Sequence, residues 1–298
     1  MKLCGLENTV LNSSSSLHSL LRQHFPDISS NTWEVSSLEG LSGGSYLVRS
    51  SQINYPIKLI ARADGVTQSA LYVNRRKEAR ILNQLHDFTY SPGVIGLNHH
   101  WLLLEWCEGE HPDTESFLSP RLQCQLAYIL AQLHSHSLLG YRLPLRNEIL
   151  HYGYLIDNKR LSPRWKKLHH YFSTVPLPRI LKLAPAHMDI HRGNILCQQG
   201  HIAKLLDWEY AANTDIAFSL ETYFQFNSLT DGQKDFFLTQ YCDIHGAYRD
   251  KIKLANHCKQ WEPWVKYMTL MWYEVQWKQR QEPQFLIDSS PLRHYFSL

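Results

Sequence analysis

The chain has 298 residues, 44% hydrophobic and 19% charged, a composition that buries a large core and excludes a disordered chain. Thirty Lys and Arg against 27 acidic residues leave a net charge of +3, too small to serve as the electrostatic footprint of a nucleic-acid-binding protein. Cys4, Cys107, Cys124, Cys197, Cys242 and Cys258 are scattered without a CxxC pair, which argues against a zinc ribbon or disulfide scaffold and for reduced thiols.

In chain order, the N-terminus carries one Lys and an apolar run broken by Gly5, Glu7 and Asn8, so it does not read as a secretion signal. No stretch approaches the ~20 apolar residues that span a bilayer. A soluble, cytoplasmic protein with no membrane partner is the expectation. Ser13 to Ser16 reads as a flexible tail ending at the N-cap of a helix that carries Leu17, Leu20 and Leu21. Strands are predicted over Trp33 to Ser37, Tyr46 to Val48 and Ile57 to Ala61, with a glycine turn at Leu41-Ser42-Gly43-Gly44-Ser45 between the first two. A helix follows from about Thr67 to His86, with Ala79, Leu82 and Leu85 on one side and Arg75-Arg76-Lys77 read as a solvated face. Two more short strands, Val94 to Leu97 and Trp101 to Trp106, complete a small antiparallel sheet with one packed helix.

A change of texture near Cys107 to Asp113, punctuated by Gly109 and Pro112, divides a sheet-rich lobe, residues 1–106, from a mostly helical one, residues 107–298. The fold class is therefore α+β and bilobal. In the second lobe, Leu122, Leu126, Ile129, Leu130 and Leu133 mark the buried face of a helix. Ile195 to Cys197 and Ala203 to Leu206 read as a short hairpin about Gln198-Gln199-Gly200, and Asp215 as the cap of a helix over Ile216 to Phe226.

Chemistry concentrates in His187-Met188-Asp189-Ile190-His191-Arg192-Gly193-Asn194 and in Leu205-Leu206-Asp207-Trp208-Glu209. Phosphoryl transfer needs a carboxylate to orient the attacking hydroxyl and ligands that hold magnesium on the nucleotide phosphates. Asp189 suits the first role. Asn194, five positions on, has the spacing of a metal-binding Asn in a kinase catalytic loop, and Asp207, after two apolar residues, suits a hard cation. His187 and His191 are four apart, but no third ligand completes a zinc motif, and His187 is expected to bond backbone and shape the loop.

These motifs together resemble the aminoglycoside phosphotransferase and choline kinase superfamily. Within it, Leu41-Ser-Gly-Gly-Ser-Tyr, His187-Met-Asp-Ile-His, Leu206-Asp-Trp-Glu-Tyr-Ala and the aromatic segment Trp261-Glu-Pro-Trp to Trp277 are similar to bacterial thiamine kinases. The resemblance implies a protein-kinase-like fold with ATP and Mg2+ as cofactors. It implies that Ser42, Gly43, Gly44 and Ser45 cover the phosphates, and that Glu105 to Cys107 forms a hinge whose backbone binds adenine. Where kinases carry a strand lysine this chain has Arg62, as thiamine kinases do; Lys58 lies earlier on the same strand face. Arg62 is favoured to contact phosphate, with Glu78 as its partner, since arginine grips phosphate oxygens bidentately.

Aromatics beside carboxylates suit a cationic acceptor, because ring faces attract quaternary and ring cations. Trp208, Glu209, Trp264, Trp272 and Glu274 are the candidate substrate contacts, with core packing the competing role for each. The expected partner is a small-molecule alcohol, thiamine favoured, with choline, an aminoglycoside or another amino alcohol as the alternative. A catalytically silent nucleotide-binding protein would lack Asp189, Asn194 or Asp207, and all three are present. No obligate protein partner is inferred.

Overall fold

The computed structural model describes residues 15–38, 44–52, 57–64 and 73–298. These fall into two units, one of the chain up to His111 together with Ile195–Glu209, the other of Pro112–Asn194 together with Tyr210–Leu298.

In the first unit, β1 (Trp33–Ser37), β2 (Ser45–Ser50), β3 (Ile57–Ala63), β4 (Val94–Leu97) and β5 (Trp101–Glu105) form one antiparallel sheet in the order β1-β2-β3-β5-β4. Successive strand residues point to opposite faces. Leu59 and Ala61 of β3 pack with Val48, Trp101 and Leu103 against Leu17, Leu20 and Leu21 of α1, residues 15–24. Arg62 therefore points to the other face, where it meets Glu78 of α2 (Arg75–Gln84). Asn74 caps α2, its side chain accepting from Lys77 N, and Ala79, Ile81 and Leu82 bury the helix against β4 and β5. The expected start at Thr67 lies outside the described residues.

The hairpin of Ile195–Gln198 and His201–Leu205 turns on Gln199 and Gly200, both with left-handed backbone (φ +51° and +75°), the twist-matched geometry for a two-residue connection. It joins the unit through paired backbone bonds between Glu110 and Cys197 (3.0 and 2.8 Å) and through Leu205 N donating to Tyr90 O (2.8 Å). Gly109 makes this approach possible: its φ is +143°, and a Cβ there would sit 2.9 Å from Cys197 O.

The second unit is mainly helical, in keeping with the α+β expectation. The stripe Leu122, Leu126, Ile129, Leu130 and Leu133 is buried on the helix Pro120–Leu133, which Ser119 caps. The helix Ile216–Phe226 is buried from Ile216 to Phe224, and the long helix Lys251–Arg280 packs along it. Its cap is Asp215, as expected. That carboxylate accepts from Ala217 N and also from Leu181 N (3.0 Å) and the Trp261 indole (2.9 Å), so one buried side chain ties three segments. A two-stranded ribbon, Leu183–Ala186 against Ala212–Asp215, leads into the His187 loop. Among the described residues, the five cysteines are free thiols, and no helix is long and apolar enough to cross a membrane.

Candidate active site

In the second unit, the loop after Ala186 is held by its own side chains. Met188 adopts a left-handed backbone (φ +72°) that a branched side chain would resist, and the turn brings Asp189 N to His187 Nδ1 at 3.3 Å. His187 is buried and bonds backbone, the role expected of it. Asn194 donates through Nδ2 to both Asp189 O and Asp189 Oδ2, each at 2.9 Å, so the spacing of five closes into a ring. This commits one carboxylate oxygen and leaves the amide oxygen of Asn194 for another use. His191 Nδ1 accepts from Gly193 N (3.1 Å), which puts the ring proton on Nε2, 3.7 Å from Asp189 Oδ2. From behind, Asn227 donates to Ile190 O (2.7 Å) and Tyr223 O (2.8 Å), anchoring the loop to the helix Ile216–Phe226.

In the first unit, Trp208 organises the second motif. Its indole is fully buried, donates to Leu205 O (2.8 Å) and meets Phe88 edge-on, so the residues on either side, Asp207 and Glu209, both turn to Arg62. Asp207 takes a left-handed backbone there (φ +64°). Arg62 Nη1 pairs with Glu78 Oε1 at 2.7 Å, and Nη2 with Asp207 Oδ1 at 2.7 Å and Glu209 Oε2 at 2.6 Å. Arg75 is the fifth member: Nη1 lies 2.8 Å from both Glu78 Oε2 and Glu209 Oε2, and Nε donates to Ala63 O at 3.1 Å.

Arg62, Arg75, Glu78 and Glu209 are all but inaccessible, with side chains at most 5% exposed, whereas Asp207 is 25% exposed. Burial alone would lower the Arg62 guanidinium, but Asp207, Glu78 and Glu209 outweigh it and hold the charge in place. Burial, with Asp207 beside it, raises the Glu209 carboxyl, and Arg62 and Arg75 pull it back down. Arg62 Nε and Arg75 Nη2 are buried without a hydrogen-bond partner among the described residues, donor capacity that the carboxylates do not fill.

Arg75 corrects the reading of Arg75-Arg76-Lys77 as a solvated face. Its guanidinium is buried because Glu209, far away in sequence, supplies the counter-charge. The one local signal was Glu78 three residues on, the spacing at which helix side chains meet. Lys58 stands apart, paired at the surface with Glu108 (2.9 Å).

Of the residues expected to cover the phosphates, Ser42 and Gly43 lie outside the described residues. Gly44 has φ +75° and accepts from Ala63 N (2.7 Å), and Ser45 sits opposite Arg62 in the sheet register. Glu105 N donates to Gly93 O (3.0 Å), and its carboxylate pairs with Lys204 (3.2 Å). Cys107 is half-buried, and burial pushes its thiol up to about 11.

The candidate acceptor contacts divide between the units, Trp208 and Glu209 in the first and Trp264, Trp272 and Glu274 in the second. Trp264 is buried edge-on to Phe172. Glu274 is buried between Arg160, at 2.6 and 2.9 Å, and Arg293 at 2.9 Å. Trp272 is partly exposed, its indole donating to the Tyr210 hydroxyl (3.3 Å).

A profile of the phosphotransferase enzyme family matches residues 27–254, most of the chain. The chain belongs to that family. This phosphotransferase is 28% identical over 273 residues to a thiamine kinase of Salmonella dublin, covering 90% of each chain. A thiamine kinase of Escherichia coli is 29% identical over 259 residues, 83% of this chain and 84% of that one. Among solved structures, the choline kinase LicA from Streptococcus pneumoniae superposes with a TM-score of 0.72 at 18% identity, over 98% of this phosphotransferase and 99% of that chain. A complex of the aminoglycoside 2'-phosphotransferase IIIa with GDP does so at 0.64 and 16% identity, over 95% and 97%. These likenesses establish the kinase-like α+β fold.

Proposed function

We propose that this phosphotransferase moves the γ-phosphoryl group of ATP to the hydroxyl of thiamine. What carries the acceptor is the similarity to thiamine kinases along nine-tenths of both chains. The chemistry rests on Asp189, fixed by Asn194 beside it. In this reading Asp189 accepts the hydrogen bond of the substrate hydroxyl and orients its oxygen for in-line attack. Arg62 grips phosphate oxygens, and the backbone N–H groups of residues 42–45 cover them, with Gly44 supplying the left-handed turn.

Asn194 and Asp207 present oxygen donors, the kind that Mg2+ takes, and the amide of Asn194 is turned so that its oxygen is not spent on Asp189. They would hold the metal, whose charge, when bound, offsets that building on the transferring group. The backbone at Glu105 and Cys107 would receive adenine. Among the acceptor candidates, Trp272 is partly exposed and would meet a cation, while Trp208, Trp264 and Glu274 are buried and would support it.

The test is ADP release with ATP and magnesium over a panel of thiamine, choline, ethanolamine and an aminoglycoside. Thiamine should exceed every other acceptor in kcat/KM by at least about tenfold, the low end of what one misfitted apolar contact is worth. Preferred turnover of choline would replace thiamine in this account and leave the phosphoryl transfer standing.

A further inference from the structure

Two arginines and two glutamates in the first unit form a closed ring. Glu78 gives one oxygen to each arginine (2.7 Å to Arg62, 2.8 Å to Arg75), and Glu209 Oε2 is shared by both (2.6 and 2.8 Å). Counted as ions, these four groups are neutral. Asp207 is the carboxylate in excess, bound to Arg62 alone among the four, and it is also the exposed member of the cluster. Such a buried group is stable only while each charge keeps a partner; removing one partner from a buried pair strands the other at a high cost.

We infer that Arg75 is a positioning residue for nucleotide binding: it completes a neutral ring, so Arg62 Nη2 can exchange Asp207 for phosphate oxygens while Glu209 stays paired. The inference rests on the reading of Arg62 as a phosphate contact. Without Arg75, Arg62 becomes the one guanidinium paired with Glu78, Glu209 and Asp207, and turning toward phosphate takes from the buried Glu209 carboxylate its remaining guanidinium. Arg62 is then held back by its own carboxylates. Neutralising Glu209 as well restores a balanced pair, Arg62 with Glu78, and frees the guanidinium again.

The experiment is calorimetric titration of the full chain with ADP, with no acceptor present, for the wild type, Arg75→Gln and the double variant Arg75→Gln/Glu209→Gln, each with its denaturation midpoint. Arg75→Gln should weaken ADP binding by at least about tenfold, and the double variant should return to within about threefold of wild type and recover stability. That recovery separates charge balance from packing, because a second truncation beside the first regains function only if the two charges are coupled, whereas further loss of packing would not restore it. Should Arg75→Gln fail to fold, the double variant still decides. The inference is overturned if Arg75→Gln binds ADP as the wild type does, or if the double variant is unfolded or no tighter than the single one. A wild type that binds no ADP contradicts instead the assignment of Arg62 to phosphate, and the ring with it.

Discussion

Glu78 holds a different guanidinium on each oxygen, Arg62 at 2.7 Å and Arg75 at 2.8 Å, in a site that water hardly reaches. Removing that carboxylate leaves Arg75 with Glu209 alone, and Arg62 with the same Glu209 oxygen and the partly exposed Asp207. Breaking a buried pair in this way typically costs about 3–5 kcal/mol. Glu78→Ala should therefore lower the denaturation free energy by about that amount, and a loss under about 1 kcal/mol would mean that the network is more hydrated than its geometry implies. At this scale the motif residues were legible, because Asp189 and Asn194 are five apart and a loop of that spacing closes on itself. Arg75 was not, since three successive basic residues look alike and its carboxylate partner Glu209 comes from a distant hairpin exit. The burial of Glu274 was hidden in the same way, by Arg160 and Arg293 from separate segments.

Where a helix or strand is set by its own neighbours, its bounds follow from the chain. Trp33–Ser37 and Val94–Leu97 form where alternation and flanking turns predict them, and Ile216–Phe226 begins at the cap that Asp215 provides. What the local pattern did not encode is the ionisation that packing imposes. His134, at the end of the helix Pro120–Leu133, is buried with Nδ1 2.9 Å from the Tyr241 hydroxyl and Nε2 3.2 Å from Ser219 Oγ. Both partners are neutral hydroxyls, and burial lowers the imidazole from 6.5 to about 3.

The unfolded chain then binds a proton near pH 6.5 that the folded chain refuses until about pH 3, so the contribution of His134 is complete above pH 6.5 and is lost as pH falls below it. At about pH 5.5 the loss is about 1.4 kcal/mol, from roughly one unit below the unfolded value. Chemical denaturation at about pH 7.5 and 5.5 should show wild type losing that much more than His134→Gln between the two conditions. Equal losses would mean that His134 is protonated in the folded chain.

For the whole molecule, the order of strand-like and helical segments set the class, α+β, and the solved structures that superpose on the chain accord with it. The acceptor was reached differently. Aromatic density between Trp261 and Trp277 cannot separate a cation site from a core, and Trp261, Trp264 and Tyr267 prove to be buried. The acceptor reading thus leans on similarity to thiamine kinases, and the phosphoryl-transfer reading on the geometry around Asp189. One measurement tests both together: mass-spectrometric detection of thiamine monophosphate formed from ATP, magnesium and thiamine by the wild type and by Asp189→Ala with an unchanged denaturation midpoint. The account predicts steady product from the wild type and a rate lower by about 10²–10⁴-fold from the variant, the range for a lost general base. Product formed by Asp189→Ala at a rate near that of the wild type would contradict it.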